Sequence, residues 1–195
     1  MFLAGCLSAG CLTVFAASDD HQIGKFGSTV LENAAELEGD LEAWWDIGIC
    51  YRDGLGVKKD MKKALYWLEK AADRNYDGAC VSLGDMYYSG QGVKKDQKKA
   101  FELYNRGLRR QSPDAQYRIG LCLYNGHGTK KDLTAAVEWF KKAAEQIEPN
   151  SQYMLGVCYE KGEGVKKDLK KAKEYYKQAA EAKHEKAIAA LKRLK

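Results

Sequence analysis

Proline is nearly absent from this chain of 195 residues, which contains only two. Because proline interrupts helices, its scarcity favours a helical fold. The chain also lacks a large excess of either charge: it contains 32 Lys and Arg and 27 Asp and Glu, which gives a net charge of +5. That small excess argues against a nucleic-acid-binding protein. With 45% hydrophobic residues, by contrast, the chain has enough apolar side chains for a folded core, which excludes a disordered protein.

Long apolar runs are missing too, apart from one at residues 1–17. This run is shorter than the roughly 20 residues of a membrane-spanning helix, so no transmembrane span is predicted. Val14-Phe15-Ala16 has small residues where a leader peptidase cuts, which indicates a signal peptide and an exported bacterial protein, periplasmic, secreted or lipid-anchored. Leu3-Ala4-Gly5-Cys6 also resembles a lipoprotein leader with a lipid anchor on Cys6. No Lys or Arg precedes Lys25, so an apolar extension on a cytoplasmic protein stays open as the alternative.

One segment occurs four times with a period of 36 residues. Its first copy is Ile47-Gly48-Ile49-Cys50-Tyr51, and the later copies begin at Leu83, Ile119 and Leu155. A second segment keeps the same period, from Gly54-Leu55-Gly56-Val57-Lys58-Lys59-Asp60 to copies that begin at Gly90, Gly126 and Gly162. A fixed period of this length is typical of repeat proteins, in which no unit buries its apolar face alone.

Each copy predicts two helices joined by a turn. Ala43, Ile47 and Tyr51 recur at four-residue steps, the spacing of one helix face, and we name this helix A. The two glycines of the second segment suit a turn with positive φ. Asp60 then stands where an N-cap belongs, before a second helix, named helix B, whose apolar face is formed by Ala64, Trp67, Leu68 and Ala71.

These units set the predicted architecture, which is all-α, an α-solenoid with a cap at each end. The C-terminal cap is predicted because Ala187 and Leu191 keep the helix A phase, while Lys192 and Lys195 replace the glycine and the aromatic. The chain is therefore divided into a leader at residues 1–17, a linker at 18–27, an N-terminal capping helix at 28–40, four repeats at 41–184 and a C-terminal capping helix at 185–195.

The pattern Ala-x-x-x-Leu-Gly-x-x-Tyr, followed by Gly-x-Gly-Val-x-x-Asp-x-x-Lys-Ala, resembles the Sel-one-like repeat family, which is related to tetratricopeptide repeats. The resemblance covers about residues 29–195. It implies a right-handed superhelix that binds other proteins or peptides in a concave groove, frequently in signalling, secretion or quality-control assemblies. A fold does not establish a function by itself, so the site is argued separately.

By the same resemblance, the groove is lined by helix A residues opposite the packed face. These positions differ from copy to copy, and five of the twelve are Trp or Tyr, which dominate binding hot spots. The alternative is that some of these aromatics only pack one helix A on the next. The twelve positions are Trp45, Ile49, Arg52, Val81, Asp85, Tyr88, Tyr117, Leu121, Tyr124, Tyr153, Val157 and Glu160.

Motifs of the common enzyme classes are missing from the sequence. It contains no Ser-x-x-Lys, Gly-x-Ser-x-Gly or His-Glu-x-x-His, so no catalytic residue, metal or cofactor is predicted. His21, His127 and His184 are scattered and are expected on the solvated surface. The sequence thus predicts a non-catalytic, monomeric scaffold that binds a protein or peptide and no nucleic acid. The alternative, implied by exported cysteine-rich members of the family, is a protein with beta-lactam-binding or weak beta-lactamase-like activity.

Cys50, Cys122 and Cys158 share one repeat position, where residues of neighbouring helices lie about 10 Å apart. A disulfide needs Cα atoms closer than about 7 Å. The cysteine-rich relatives join the end of helix B to the start of the next helix A by a disulfide. Here Cys80 occupies the second of these positions, but Ala72 occupies the first. The four cysteines are therefore predicted to be mostly buried thiols that pack as small apolar residues.

Overall fold

A computed structural model describes residues 39–194, and all regular secondary structure in that range is helical. The leader, the linker and all but the last two residues of the predicted N-terminal capping helix lie outside the described residues. The helices within the range are α1 (Leu41–Asp53), α2 (Met61–Asp73), α3 (Asp77–Ser89), α4 (Gln97–Arg106), α5 (Pro113–Asn125), α6 (Leu133–Glu145), α7 (Pro149–Lys161), α8 (Leu169–Glu181) and α9 (Glu185–Arg193).

The chain divides into two compact units, the first ending at Leu83 and the second beginning at Gly84. The first unit holds α1, α2 and the first half of α3, and the second holds the remaining helices. In the first unit α1 packs on α2, and in the second α5 packs on α6 and α7 on α8. These are the predicted pairs of helix A and helix B. Further packing of α4 on α5, α6 on α7 and α8 on α9 stacks the pairs of the second unit.

The N-termini of the helix B elements are fixed by a repeated aspartate. The Asp60 carboxylate accepts hydrogen bonds from the backbone N–H groups of Lys62 and Lys63, at 3.0 and 3.1 Å. These bonds satisfy donors that have no partner inside the helix, and the negative charge also favours the positive end of the helix dipole. The predicted N-cap is thereby confirmed, and the same role is filled by Asp96, Asp132 and Asp168.

The turn between helix A and helix B requires glycine. Gly54 ends α1 with a φ of 78°, and Gly56 has a φ of 67°, values that a residue with a Cβ atom rarely adopts. The backbone N–H of Asp60 then donates to the carbonyl of Tyr51 at 2.9 Å, which returns the chain to the end of α1. The predicted turn with positive φ is confirmed.

Another glycine in each repeat, near the middle of helix A, allows helix A and helix B to approach closely. A Cβ atom placed on Gly84 would lie 2.5 Å from the ring of Tyr104, and one on Gly48 would lie 2.7 Å from Leu68. Each glycine therefore leaves room for the large side chain found twenty residues later on helix B. The other two pairs are Gly120 with Phe140 and Gly156 with Tyr176.

The last helix, α9, covers the end of the second unit. Its Ala187 and Ala190 join a buried cluster with Tyr159, Ala172 and Tyr176. Small side chains on α9 let it lie directly on the aromatic rings of α7 and α8, while its outward positions carry charge. None of the helices within residues 39–194 is long and apolar enough to cross a membrane.

The four cysteines in the described range are free thiols. Cys80, Cys122 and Cys158 are buried, and Cys50 is half-buried. Burial raises the pKa of Cys122 to about 11 and that of Cys158 to about 12. A thiol with so high a pKa stays protonated at neutral pH, so these two side chains pack as apolar groups and are weak nucleophiles.

Candidate functional site

Four of the twelve predicted groove residues lie in the first unit. Trp45 is half-buried, and its indole N–H donates to the hydroxyl of Ser82 at 2.9 Å. Arg52 is half-buried and bonds the adjacent Asp53 carboxylate at 2.6 Å, which lowers the pKa of Asp53. Ile49 is half-buried. Val81 was predicted to line the groove, but it is buried because α3 is covered on every side from residue 79 to residue 83.

In the second unit, Asp85 joins three helices. Its carboxylate accepts one hydrogen bond from the Tyr104 hydroxyl at 2.7 Å and another from the Arg118 guanidinium at 2.8 Å. The side chains of Asp85 and Arg118 each keep 35% of their surface exposed, so the ion pair lies at the edge of the core. Burial, followed by the negative charge of Asp85, raises the pKa of Tyr104 above its usual range, so this hydroxyl donates permanently to the carboxylate.

Tyr117 and Tyr124 lie on either side of Phe140, the residue that occupies the space left by Gly120. Their ring centroids lie 6.2 and 6.4 Å from that of Phe140, at tilted angles. The rings contribute to one apolar cluster, to which Leu121 also belongs. Phe140 is fully buried, whereas Tyr117, Leu121 and Tyr124 are half-buried. Each tyrosine thus packs on the core with part of its surface and leaves the rest accessible.

Two tyrosines, four residues after the helix A glycine, bind the turn of the following repeat. The Tyr88 hydroxyl lies 2.7 Å from Nδ1 of His127, and the Tyr124 hydroxyl donates to the Glu163 carboxylate. His127 and Glu163 occupy the same place between the two glycines of consecutive turns. The expectation that His127 is solvated surface is therefore wrong, because the turn places its ring against the preceding helix A, where it is half-buried.

At the end of the second unit, α7 contributes Tyr153, Val157 and Glu160, all half-buried. The Tyr153 ring stacks on that of His184, with centroids 4.7 Å apart. Nδ1 of His184 accepts from the backbone N–H of residue 187 and so caps α9. The prediction of a solvated His184 is also wrong, because helix capping fixes its ring against α7.

Glu160 fastens α9 to α7. Its carboxylate accepts hydrogen bonds from the Tyr176 hydroxyl at 2.8 Å and from the Arg193 guanidinium, whose closest nitrogen lies 2.7 Å away. The hydrogen bond from Arg193 lowers the pKa of Glu160 below its usual range. The last of the twelve predicted groove residues thus has a structural role.

Three charged residues near the tyrosines are absent from the sequence prediction: Arg118, Asp114 and Glu148. The Arg118 guanidinium lies 5.5 Å from the centroid of the Tyr117 ring. Asp114 is exposed, and partial desolvation and then the charge of Glu148 raise the pKa of its carboxyl. Glu148 is buried and caps α7 through the backbone N–H of Ser151 at 2.5 Å. A Glu directly before a proline that begins a helix A is the sequence signal that identifies this cap.

Within residues 39–194, no group of three or more His, Cys, Asp or Glu side chains is arranged to hold a metal ion. The arrangement that the second unit does offer is a row of partly exposed tyrosines, held by hydrogen bonds and core contacts and flanked by carboxylates. Such a surface suits recognition of another molecule by contact.

Comparison with known families matches the Sel1 repeat four times, at residues 42–76, 78–111, 113–147 and 149–184. The chain belongs to the Sel1 repeat family. The resemblance drawn from the sequence is thereby confirmed, and so is the all-α solenoid class, since the described part of this Sel1 repeat protein contains helices and no strand.

Solved structures of other Sel1 repeat proteins are similar to this chain. A Sel1 repeat protein from Oxalobacter formigenes is 28% identical over 95% of this chain and 78% of that one, with a TM-score of 0.80. The protein c5321, a protective antigen present in uropathogenic Escherichia coli strains, is 34% identical over 80% of this chain, with a TM-score of 0.74. Cysteine rich protein B from Helicobacter pylori is 29% identical over 69% of this chain and 97% of that one, with a TM-score of 0.53. This chain spans a third of the length of c5321.

Proposed function

We propose that this Sel1 repeat protein is a non-catalytic scaffold that binds a protein or peptide partner on the helix A surface of its second unit. Sel1 repeats typically mediate protein interactions. The observation that carries the proposal is the row of half-buried tyrosines on that surface, formed by Tyr88, Tyr117, Tyr124 and Tyr153. We define these four residues as the tyrosine row.

The tyrosine row is held in place before any partner arrives. Tyr88 and Tyr124 are fixed through their hydroxyl groups, Tyr117 through its contact with Phe140, and Tyr153 through its stacking on His184. Immobilising a free side chain on binding costs roughly 0.5 to 1.5 kcal/mol. A row of rings that is already ordered avoids most of that cost and presents large contact areas with few rotatable bonds.

The proposal is tested with the Tyr117→Ala, Tyr124→Ala double variant in a titration against a partner recovered by pull-down from the source organism. We expect binding to weaken by at least about 2 kcal/mol, the scale of a lost hot spot. Both substitutions also remove contacts with Phe140, so the melting temperature and helical content are measured alongside. Tyr117→Phe, which keeps the ring, is the matched control and should bind normally.

A second control examines the exposed Lys pairs of the turns. Replacing Lys94 and Lys95 by Glu should change mainly the salt dependence of association, because exposed charges act chiefly by steering. Normal binding by the tyrosine double variant together with complete loss in the lysine variant would contradict the proposal and place the site on the turns.

A further inference from the structure

Charge is distributed unevenly between the two kinds of helix in the second unit. Helices α6 and α8, which are helix B elements, carry six Lys between them, whereas α5 and α7 carry only Lys161, the last residue of α7. The turns before the helix B elements add Lys pairs at positions 94–95, 130–131 and 166–167, all exposed. Four Glu on α6 and α8 offset four of these six Lys, so the two helices keep a net charge of +2, whereas α5 and α7 are each neutral. The helix B elements and their turns are therefore the more basic part of the unit.

The charges beside the tyrosine row are mainly carboxylates. Asp85, Asp114 and Glu148 all act on the hydroxyl or carboxyl groups around Tyr117, and Arg118 is the one cation that acts with them. Three negative charges against one positive charge leave this part of the surface with a net charge of about −2 at neutral pH. Toward the end of the unit the carboxylates are paired with cations, Glu160 with Arg193 at 2.7 Å and Glu163 with Lys161 at 3.8 Å.

The cation in this set is already engaged, and one carboxylate is not. Arg118 donates to Asp85. Asp114, by contrast, is exposed and forms no hydrogen bond or ion pair with any residue in the range 39–194. Partial desolvation raises the pKa of its carboxyl most, and the repulsion that Glu148 and Asp85 impose on its charge raises it further. An added cation beside Asp114 would relieve that repulsion.

We infer that the helix A surface of the second unit binds an extended segment whose Lys or Arg side chains lie beside Asp114 and against the faces of the tyrosine row. This inference rests on the proposed function and names the class of its partner. Two contacts favour a cation here. A carboxylate attracts it directly, and the negative face of an aromatic ring attracts it within about 6 Å of the centroid.

The opposite partner, a segment with acidic side chains, has one observation in its favour. The Nε atom of Arg118 is buried and has no hydrogen-bond acceptor. An acidic side chain that reached this atom would also approach Asp85, Asp114 and Glu148, and like charges at close range cost binding energy. The balance of charges therefore favours the basic partner, and the two classes give opposite results in the experiment below.

The probe is a fluorescein-labelled nonapeptide that alternates Leu and Arg, with matched peptides that carry Gln or Glu in place of Arg. Fluorescence anisotropy with the full chain should show the Arg peptide binding at least about tenfold more tightly than the Gln peptide, and the Glu peptide most weakly. Because the chain has a net charge of +5, attraction of the Arg peptide to the rest of the surface is disfavoured.

Substitutions locate the effect. Asp114→Asn should weaken binding of the Arg peptide about threefold, and Asp114→Lys about tenfold. Neither substitution removes an internal hydrogen bond or ion pair that folding needs. Glu102→Gln and Glu102→Lys, at an exposed position of α4, are the matched controls and should leave the affinity unchanged. Arg118→Gln should strengthen binding of the Arg peptide, because it removes the cation that lies 5.5 Å from the centroid of the Tyr117 ring.

The inference is overturned if the Glu peptide binds most tightly and Arg118→Gln abolishes its binding, or if the Glu102 variants weaken the Arg peptide as much as the Asp114 variants. Either result leaves the proposed function standing if the tyrosine double variant still loses the pull-down partner. A different result would contradict the proposed function, namely normal binding of the pull-down partner by the tyrosine double variant.

Discussion

The glycine at the centre of each helix A is where one added carbon has the largest effect. Gly84→Leu would place a Cβ atom 2.5 Å from the ring of Tyr104, whose hydroxyl is tied to Asp85 and leaves the ring little freedom to move. Overpacking of this kind costs roughly 1 to 3 kcal/mol or more. We therefore expect a clear fall in the free energy of unfolding, measured by urea denaturation.

Lys98→Leu is the matched control for this substitution, because Lys98 is exposed on the neighbouring helix α4. Its effect should stay within about 0.5 kcal/mol. Equal unfolding midpoints for Gly84→Leu and Lys98→Leu would contradict the close approach of α3 and α4 at this glycine.

At the scale of the element, the Glu160 carboxylate adds an ion pair with Arg193 to the apolar packing that attaches α9. Because the Arg193 hydrogen bond lowers the pKa of Glu160 in the folded state, the charged carboxylate stabilises the fold above its unfolded pKa of about 4.3. This contribution is lost as the pH falls through the lower, folded pKa. Glu160→Gln should therefore reduce the melting temperature at pH 7.

The difference between Glu160→Gln and the wild type should shrink on acidification and disappear once Glu160 is protonated in both states. Glu174→Gln, at an exposed position of α8, is the control and should show no comparable pH dependence. A difference in melting temperature that stays constant from pH 7 into the acid range would show that the charge of Glu160 does not hold α9.

Local rules predict the elements well because their causes lie within a few residues. An Asp directly before the apolar face of a helix is a typical N-cap, so the N-cap of α2 at Asp60 follows from the sequence. The pair of glycines forms the same turn in every copy, so the turn at Gly54 follows as well. His127 and Val81 were misjudged because their surroundings come from residues distant in the chain. His127 meets Tyr88 across 39 positions, and sequence spacing along one helix contains no sign of that contact.

The candidate site follows the same division. The aromatic residues of helix A can be predicted as a candidate site, because comparison of the four copies separates the positions that vary from those that repeat. The charges around the row were missed because Asp114 and Glu148 belong to helix starts and Arg118 lies next to a predicted position rather than on it. Their joint effect arises only when α3, α5 and the start of α7 are brought together.

At the scale of the whole molecule, the leader predicted at residues 1–17 leads to an expectation about where the protein works. We propose that the protein is exported and that cleavage follows Ala16, so the mature chain should begin near Ala17, because small residues precede this point. Intact mass and N-terminal sequencing of the native protein test the proposal. A chain that retains Met1 and is recovered from the cytosol would contradict it, whereas a lipid mass on Cys6 would indicate anchoring instead.

The bonds from Tyr88 to His127 and from Tyr124 to Glu163 connect each repeat of the second unit only to the next one. A tether that pulls on the C-terminus therefore loads one junction at a time, beginning at Glu160 and Arg193. Each 36-residue copy that comes free adds about 120 Å of extended chain. Under tension the second unit would therefore lengthen in steps, one repeat at a time, and would not unfold in a single event.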